Sequence, residues 1–371
     1  MLRTFQPIGQ GTFVTEQFEH GQNVVFDCGS LTSLELVRTT IQTIYKEREV
    51  IDAVFLSSLD REHAGGLEAL MQWCRVAKVF IPYMDGEERA YTLLKHLCEG
   101  GEPDDFLARL IAEPKTALAA YQFLDPRMPI VTQVAPERGW DRNVFDANMP
   151  LDLMPWKAIE GFRAYVDPEL DWICQPKVFH QRHVIEEWKA AMIAAGEDPG
   201  WITDVATLRR GWIQNPTRKV LTRIFNGQPD RGCAVSMATY SGPQGQRLGM
   251  YEKRNMGQGS YPFRMQPGGL YTGELRMQNE ALRKAFLQSF EGYHTHVGSL
   301  LLPGHGAEEL FHEEILPQGM AAVIGTGDTD NVLELPHGRV VRAVMRKNLS
   351  FYLVTELPGS SAQFTIREKG R

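Results

Sequence analysis

The chain has 371 residues, 43% of them hydrophobic and 23% charged, and a formal net charge of −7. That composition is ordinary for a globular protein with a sizeable core. Its negative balance argues against broad, non-specific attraction to a nucleic-acid backbone, although a local basic groove stays compatible with it. The cysteines Cys28, Cys74, Cys98, Cys174 and Cys233 are scattered without CxxC spacing. Reduced thiols and a cytoplasmic location are therefore expected in place of a disulfide frame. The opening MLRTFQPIGQGTF holds no apolar signal core. No window approaches the roughly 20 apolar residues of a membrane span.

From the amino end, Gly9-Gln10-Gly11 is a turn, 12–18 a strand, His20-Gly21-Gln22-Asn23 a second turn and 24–26 a strand. That strand runs into Asp27-Cys28-Gly29-Ser30, where Asp27 reads as a residue closing a strand. An amphipathic helix is predicted over 34–45. The apolar run 53–56 predicts a buried strand, followed at once by Ser57, Ser58, Asp60, Arg61, Glu62 and His63. Gly65-Gly66 then leads into a helix over 67–73, with another strand at 77–81. This alternation implies an α/β sandwich, and a polar loop after a strand is where such folds hold ligand-binding groups. In an extended loop Ser58, Asp60 and Glu62 point the same way, with His63 next to them. Oxygen and imidazole donors gathered so suit a hard or borderline metal ion. A solvated turn has the same pattern.

Between 84 and 225, helices are predicted over 87–97, 105–123, 183–195, 202–212 and 218–225, with a strand at 172–174. Gly100-Gly101-Glu102-Pro103, Pro126, Pro129, Pro136 and Pro150 interrupt them. We read 84–150 and 177–225 as a largely helical insertion, a cap or partner surface within a single domain spanning 1–371. The remainder predicts strands at 233–240, 268–272, 297–302, 321–324, 350–355 and 362–366, helices at 278–290 and 338–346, and a mobile Gly- and Gln-rich loop at 242–259.

The stretch 57–66 resembles the signature loop of the metallo-β-lactamase fold, His-x-His-x-Asp-His-x-Gly-Gly. It is most similar to the version in ComEC-type DNA-uptake proteins, Ser-His-x-Asp-x-Asp-His-x-Gly-Gly. Asp60, His63, Gly65 and Gly66 match, while Ser58 replaces the first His and Glu62 the second Asp. Gly9, Gln10, Gly11, Asp27 and Gly29 resemble the opening motifs of that family, with Thr12 in place of an Asp. Tyr271-Thr272-Gly273-Glu274 resembles its Leu-Thr-Gly-Asp, and Pro303-Gly304-His305-Gly306-Ala307 its Pro-His-His-Gly-Ser. The final Asn-x-Tyr-Gly-His-Pro aligns loosely with 331–336, placing Leu335 at the histidine and His337 two positions on.

The resemblance covers 1–82 and 228–366 and implies a metallo-β-lactamase-like αββα sandwich. It implies metal ligands at Asp60, Glu62, His63, Glu274 and His305, of which Asp60, Glu62 and His63 would be catalytic. Asp27 would support the loop without touching the metal, and Ser58 stands at a vacated ligand position. Departures at Ser58, Glu62, Glu274, Gly304 and Leu335 leave donors for one divalent ion, Zn²⁺, Mn²⁺ or Mg²⁺, or for none. Two functions stand as expectations. One is a metal-dependent hydrolase of phosphodiester or related ester bonds, with nucleic acid a compatible substrate that net charge does not indicate. The other is an inactive subunit of a bacterial multi-component system, including defence ones, which binds a protein partner through 84–225.

Other features read as structural. His294 and His296 enter a strand, and His180 and His183 start a helix. Arg209-Arg210 and Arg218-Lys219 read as solvated helix faces. Ser57 and Ser236 lack a nucleophile elbow. Gly325-Thr326-Gly327 lacks the Lys-Ser pair of a P-loop.

Overall fold

Apolar runs broken by glycine turns set the first strands: β1 (Leu2–Phe5), β2 (Gly11–Gln17) and β3 (Asn23–Ser30). Helix α1 (Leu34–Ile44) begins where the Ser33 hydroxyl accepts the Leu36 amide. Then come β4 (Val50–Ile51), β5 (Ala53–Phe55), α2 (Arg61–Ala64), α3 (Leu67–Trp73), β6 (Arg75–Val76) and β7 (Val79–Pro82). The middle contains α4 (Gly86–Cys98), α5 (Phe106–Ala112), α6 (Pro114–Ala119), β8 (Val131–Val134), β9 (Ala164–Asp167), β10 (Trp172–His180), α7 (His183–Ala194), α8 (Val205–Trp212) and α9 (Asn215–Asn226). The chain continues with β11 (Val235–Pro243), β12 (Leu248–Glu252), β13 (Gly268–Tyr271), α10 (Glu280–Ser289), β14 (Val297–Leu301), β15 (Ala322–Thr326), α11 (Gly338–Arg346), β16 (Ser350–Val354) and β17 (Ala362–Glu368). This computed structural model describes residues 1–122, 130–135, 164–167, 171–228, 231–244, 248–252, 265–330 and 334–368.

The strands form an eight-stranded sheet, β12-β17-β1-β2-β3-β5-β7-β8, and a seven-stranded sheet, β16-β15-β14-β13-β11-β10-β9. β3, β5, β7 and β8 run parallel, as do β13, β14, β15 and β16. The carboxyl ends of these parallel sets supply the site described below. The sheets pack face to face: Tyr271 of β13 stacks on Phe26 of β3 at 4.2 Å, and Phe26, Phe55 and Phe80 continue the stack. On the outer faces α1 and α3 bury Val37, Ile41, Leu67 and Leu70, while α10 and α11 bury Leu282, Phe286, Val340 and Val344. The result is the αββα sandwich that the sequence predicts.

The interface between the sheets also holds a charge pair. Arg3 Nε donates to Glu16 Oε1 at 2.8 Å, and Arg3 reaches Pro267 O, Ser241 O and Ser299 Oγ of the opposite sheet region. Glu16 in turn accepts from Ser241 Oγ and Tyr271 OH. Every charge is met by a hydrogen bond, which is the condition for keeping ions in an apolar interior.

Three expectations changed in detail. The helix predicted over 105–123 breaks into α5 and α6 at Glu113, because Pro114 disfavours helical geometry in the residue before it. The strand predicted at 172–174 extends to His180, and Pro176 falls past Cys174, where β11 is its one paired neighbour among the described strands. Part of the loop predicted at 242–259 is strand β12, paired with β17. The stretch 84–225 gives its helices to one flank, yet β8 joins the larger sheet and β9 and β10 the smaller one. Pro126, Pro129, Pro136, Pro150 and residues 331–333 lie outside the described residues. The cysteines are unpaired thiols. Among the described residues no helix is long and apolar enough to cross a membrane.

Candidate metal centre

The loop after β5 is fixed from below by Asp27. Asp27 Oδ1 accepts the Ser57 amide at 2.6 Å and Oδ2 the Ser57 hydroxyl at 2.7 Å. Its backbone sits in the left-handed region, φ 54°, a conformation uncommon for a residue with a Cβ and frequent at functional sites. Burial pushes its carboxyl up to about 6, against the pull of His63 and the Ser57 bonds. Asp60 caps α2 by accepting the His63 amide. The helix lies so close to β3 that a Cβ on Gly29 would stand 2.4 Å from the Arg61 carbonyl oxygen, so this contact requires glycine.

His63 is buried and held on one side by Asp60, whose Oδ1 lies 2.7 Å from Nδ1. Burial alone would lower the His63 pKa, but the negative charges of Asp60 and Asp27 carry it well above the usual histidine range. Its other nitrogen, Nε2, faces Glu274 Oε1 at 3.6 Å. Glu274 follows β13 in the turn made by Gly273, whose φ is +57° and whose missing Cβ would otherwise meet Ser236 Oγ at 2.6 Å. The Glu274 amide donates to Ser236 Oγ at 3.0 Å. Burial, with repulsion from Glu62, raises its carboxyl.

His305 follows β14, also in the left-handed region, φ 60°. Its Nδ1 lies 2.5 Å from Thr326 Oγ1 at the end of β15, and the Gly304 amide donates to the Gly273 carbonyl at 3.0 Å. Its Nε2 stands 3.9 Å from Glu274 Oε1 and 2.7 Å from Glu62 Oε2. The latter is an ion-pair contact, through which the His305 ring holds the Glu62 carboxylate. Among the described residues the buried Glu274 Oε1 has no hydrogen-bond partner. The rings of His63 and His305 lie nearly parallel, with centroids 5.6 Å apart.

That orphaned oxygen tests whether the residues fit a metal ion. One donor each from His63, Glu274 and His305 fall within 4.8 Å of one another. Two donors about 2.1 Å from an ion at a tetrahedral angle stand about 3.4 Å apart. The observed 3.6 and 3.9 Å separations are close to that spacing. Two imidazoles and a carboxylate form a common catalytic donor set for a divalent ion, leaving room for substrate or water. The residues therefore fit.

Of the residues singled out in the sequence, His63, Glu274 and His305 converge, and Glu62 joins them beside His305. The Glu62 carboxyl would be raised by burial, but the His305 ring lowers it below its usual value. Asp60 sits behind His63 with both oxygens engaged, and Ser58 donates to it at 3.0 Å. His337 pairs with Glu308 at 2.9 Å. His180 Nδ1 lies 2.6 Å from Glu88, joining β10 to α4. Sequence reasoning missed four neighbours: Gln10, whose amide reaches Glu62 at 3.4 Å; Thr326; Cys233, whose thiol donates to Asp60 Oδ2 at 3.1 Å; and the buried Lys95. Lys95 pairs with Glu99 at 3.0 Å. Burial opposes its charge, but Asp60, Cys233, Glu99 and Glu62 together hold its pKa well above the usual range. Gln10 lies in a motif already noted; a single cysteine, threonine or lysine carries no signal of its own.

No protein-family model and no curated protein matches the chain. Among solved structures it is similar to Zn²⁺-bound PqqB from Methylobacterium extorquens, with 9% identity, TM-score 0.38 and coverage of 96% of this chain and 87% of that one. MEM-A1, a subclass B3 metallo-β-lactamase from a soil metagenome library, is 12% identical, with TM-score 0.32 and coverage of 82% and 80%. A long form RNase Z from yeast is 10% identical, with TM-score 0.36, all of this chain and 49% of that one being covered. The αββα architecture of this chain is read from its own two facing sheets and the helices on their outer faces.

Proposed function

We propose that the chain is a metal-dependent hydrolase whose ion is held by His63, Glu274 and His305. The observation that carries this reading is the convergence of one donor each from His63, Glu274 and His305 within 4.8 Å, where the buried Glu274 Oε1 has no hydrogen-bond partner among the described residues. An unpaired buried polar atom costs about 1–3 kcal/mol, and a bound cation would satisfy Glu274 Oε1. When bound, a divalent ion supplies Lewis-acid polarisation of an ester oxygen and acidifies water.

The protein's own residues do the remaining work. Glu62 is partly open to solvent and ionised at neutral pH, so it can accept a proton from an attacking water beside His305. Gln10 orients that carboxylate. Asp27 pins Ser57 and so fixes the loop that carries Glu62 and His63. Phosphodiesters are the favoured substrate class, because the 57–66 stretch resembles the loop of DNA-uptake proteins.

The test is metal content followed by hydrolysis. Protein purified without chelator is expected to hold about one Zn or Mn per chain and to cleave bis(p-nitrophenyl) phosphate, and His63→Ala to lose both. Failure to take up metal from excess Zn²⁺ or Mn²⁺ would sink the hydrolase reading and favour an inactive, partner-binding subunit.

A further inference from the structure

Asp60 occupies a motif position where a metal ligand is expected, yet its four strongest acceptor positions are already used. Oδ1 accepts the His63 amide at 3.1 Å and lies 2.7 Å from His63 Nδ1. Oδ2 accepts Ser58 Oγ at 3.0 Å and Cys233 Sγ at 3.1 Å. Ser58 Oγ and Cys233 Sγ also lie 3.1 Å apart, so the two donors crowd the same oxygen of the carboxylate. A carboxylate offers about four lone-pair sites. An ion binding Asp60 would have to displace these partners in a pocket where Asp60, His63 and Ser58 are all buried.

The same contacts decide what His63 can do. With Nδ1 directed at Asp60, the nitrogen left for a ligand is Nε2, the one that faces Glu274. A carboxylate behind a ligating imidazole fixes its tautomer and orientation and raises its basicity. Among the described residues one group of three donors has the spacing for an ion, and it excludes Asp60 and Cys233.

We infer that Asp60 is a positioning residue and not a ligand: clamped by Ser58 and Cys233, it orients His63, and the centre holds a single ion. This inference rests on the proposed metal centre. Ser58, at a position where the resembled motif has a ligand, serves as part of the clamp. Cys233 serves as the other part and keeps its thiol proton.

The test titrates the full chain with Zn²⁺ and Co²⁺, comparing wild type with Asp60→Ala, Asp60→Asn and Cys233→Ala. Wild type is expected to bind one ion per chain, with no thiolate-to-cobalt charge-transfer band. Asp60→Ala is expected to bind one ion about 10- to 100-fold more weakly. In zinc-loaded wild type the His63 Nδ1–H gives a protected, downfield proton signal. That signal disappears in Asp60→Ala and persists in Asp60→Asn, which keeps an acceptor and recovers part of the affinity. Should Asp60→Ala fail to fold, Cys233→Ala answers instead: it loosens one donor, weakens the ion several-fold and keeps the Nδ1–H signal. Two ions in wild type and one in Asp60→Ala would overturn the inference, as would a charge-transfer band that Cys233→Ala removes, or affinity unchanged in both Asp60→Ala and Cys233→Ala. Those outcomes leave the hydrolase reading standing. Absence of any ion in folded wild type overturns the hydrolase reading itself, and this inference with it.

Discussion

His63 Nε2 and Glu274 Oε1 stand 3.6 Å apart, although His63 follows a strand of the eight-stranded sheet and Glu274 a strand of the seven-stranded one. The candidate centre thus exists only when both sheets are packed. Met237 N donates to Ser57 O at 2.7 Å, and this backbone bond joins the two sheets beside the site.

Removing any one donor should break the centre. His63→Ala, Glu274→Ala and His305→Ala each leave two donors of three. Each is expected to weaken ion binding by more than the roughly 10- to 100-fold seen when an outer partner is lost. Equilibrium dialysis with elemental analysis measures this. Chelation is expected to abolish hydrolysis while leaving the far-ultraviolet circular dichroism unchanged, because the two apolar clusters hold the fold without the ion.

Glu16 anchors the charge pair between the sheets. Glu16→Ala leaves the Arg3 guanidinium buried without its counter-charge and strips partners from Ser241 and Tyr271. Losing one member of a buried pair costs about 3–5 kcal/mol. A urea titration should show that drop, and the double variant Arg3→Met with Glu16→Leu should recover much of it.

Gly273→Ala is expected to cost stability and metal affinity together. The φ of +57° disfavours any Cβ, and the added methyl would sit 2.6 Å from Ser236 Oγ. Such strain is worth about 1–3 kcal/mol. Because Ser236 also holds the Glu274 amide, the shift displaces a ligand. A lower Tm with unchanged ion affinity would contradict this coupling.

Acid stability should depend in part on Asp105, which caps α5 and lies 2.8 Å from His96 Nε2. Partial burial would raise its carboxyl, but the His96 bond and the Ala108 and Glu102 amides lower it below the ordinary 3.8. A depressed folded-state pKa gives stability that is present above pH 3.8 and lost as pH falls through the folded value. Asp105→Asn keeps a capping oxygen without titrating. It is expected to be less stable than wild type at pH 6, by about 1 kcal/mol or less because the carboxylate is part-exposed. The difference should vanish under strongly acidic conditions, as thermal unfolding against pH will show.

Much of this molecule is set locally and can be read from the chain. Strands β3 and β5 and the tight Thr272-Gly273-Glu274 turn depend on neighbours a few residues away, which periodicity and glycine reveal, whereas the short helix α2 capped by Asp60 stands where the sequence reads as an extended loop. The motif spacing likewise pointed to Asp60, Glu62, His63, Glu274 and His305, of which His63, Glu274 and His305 bring donor atoms within 4.8 Å of one another. The break between α5 and α6 was missed although Pro114 is local, because helical periodicity on both sides concealed it. Only the tertiary structure decided which donors stay unpaired. Asp60 and Glu274 are both acidic residues in matching motifs, yet Ser58 and Cys233 fill the lone pairs of Asp60, whereas among the described residues no hydrogen-bond donor is in place for Glu274 Oε1. That difference comes from side chains far apart in sequence, brought together by packing two sheets, and a buried carboxylate is defined chemically by the groups that surround it.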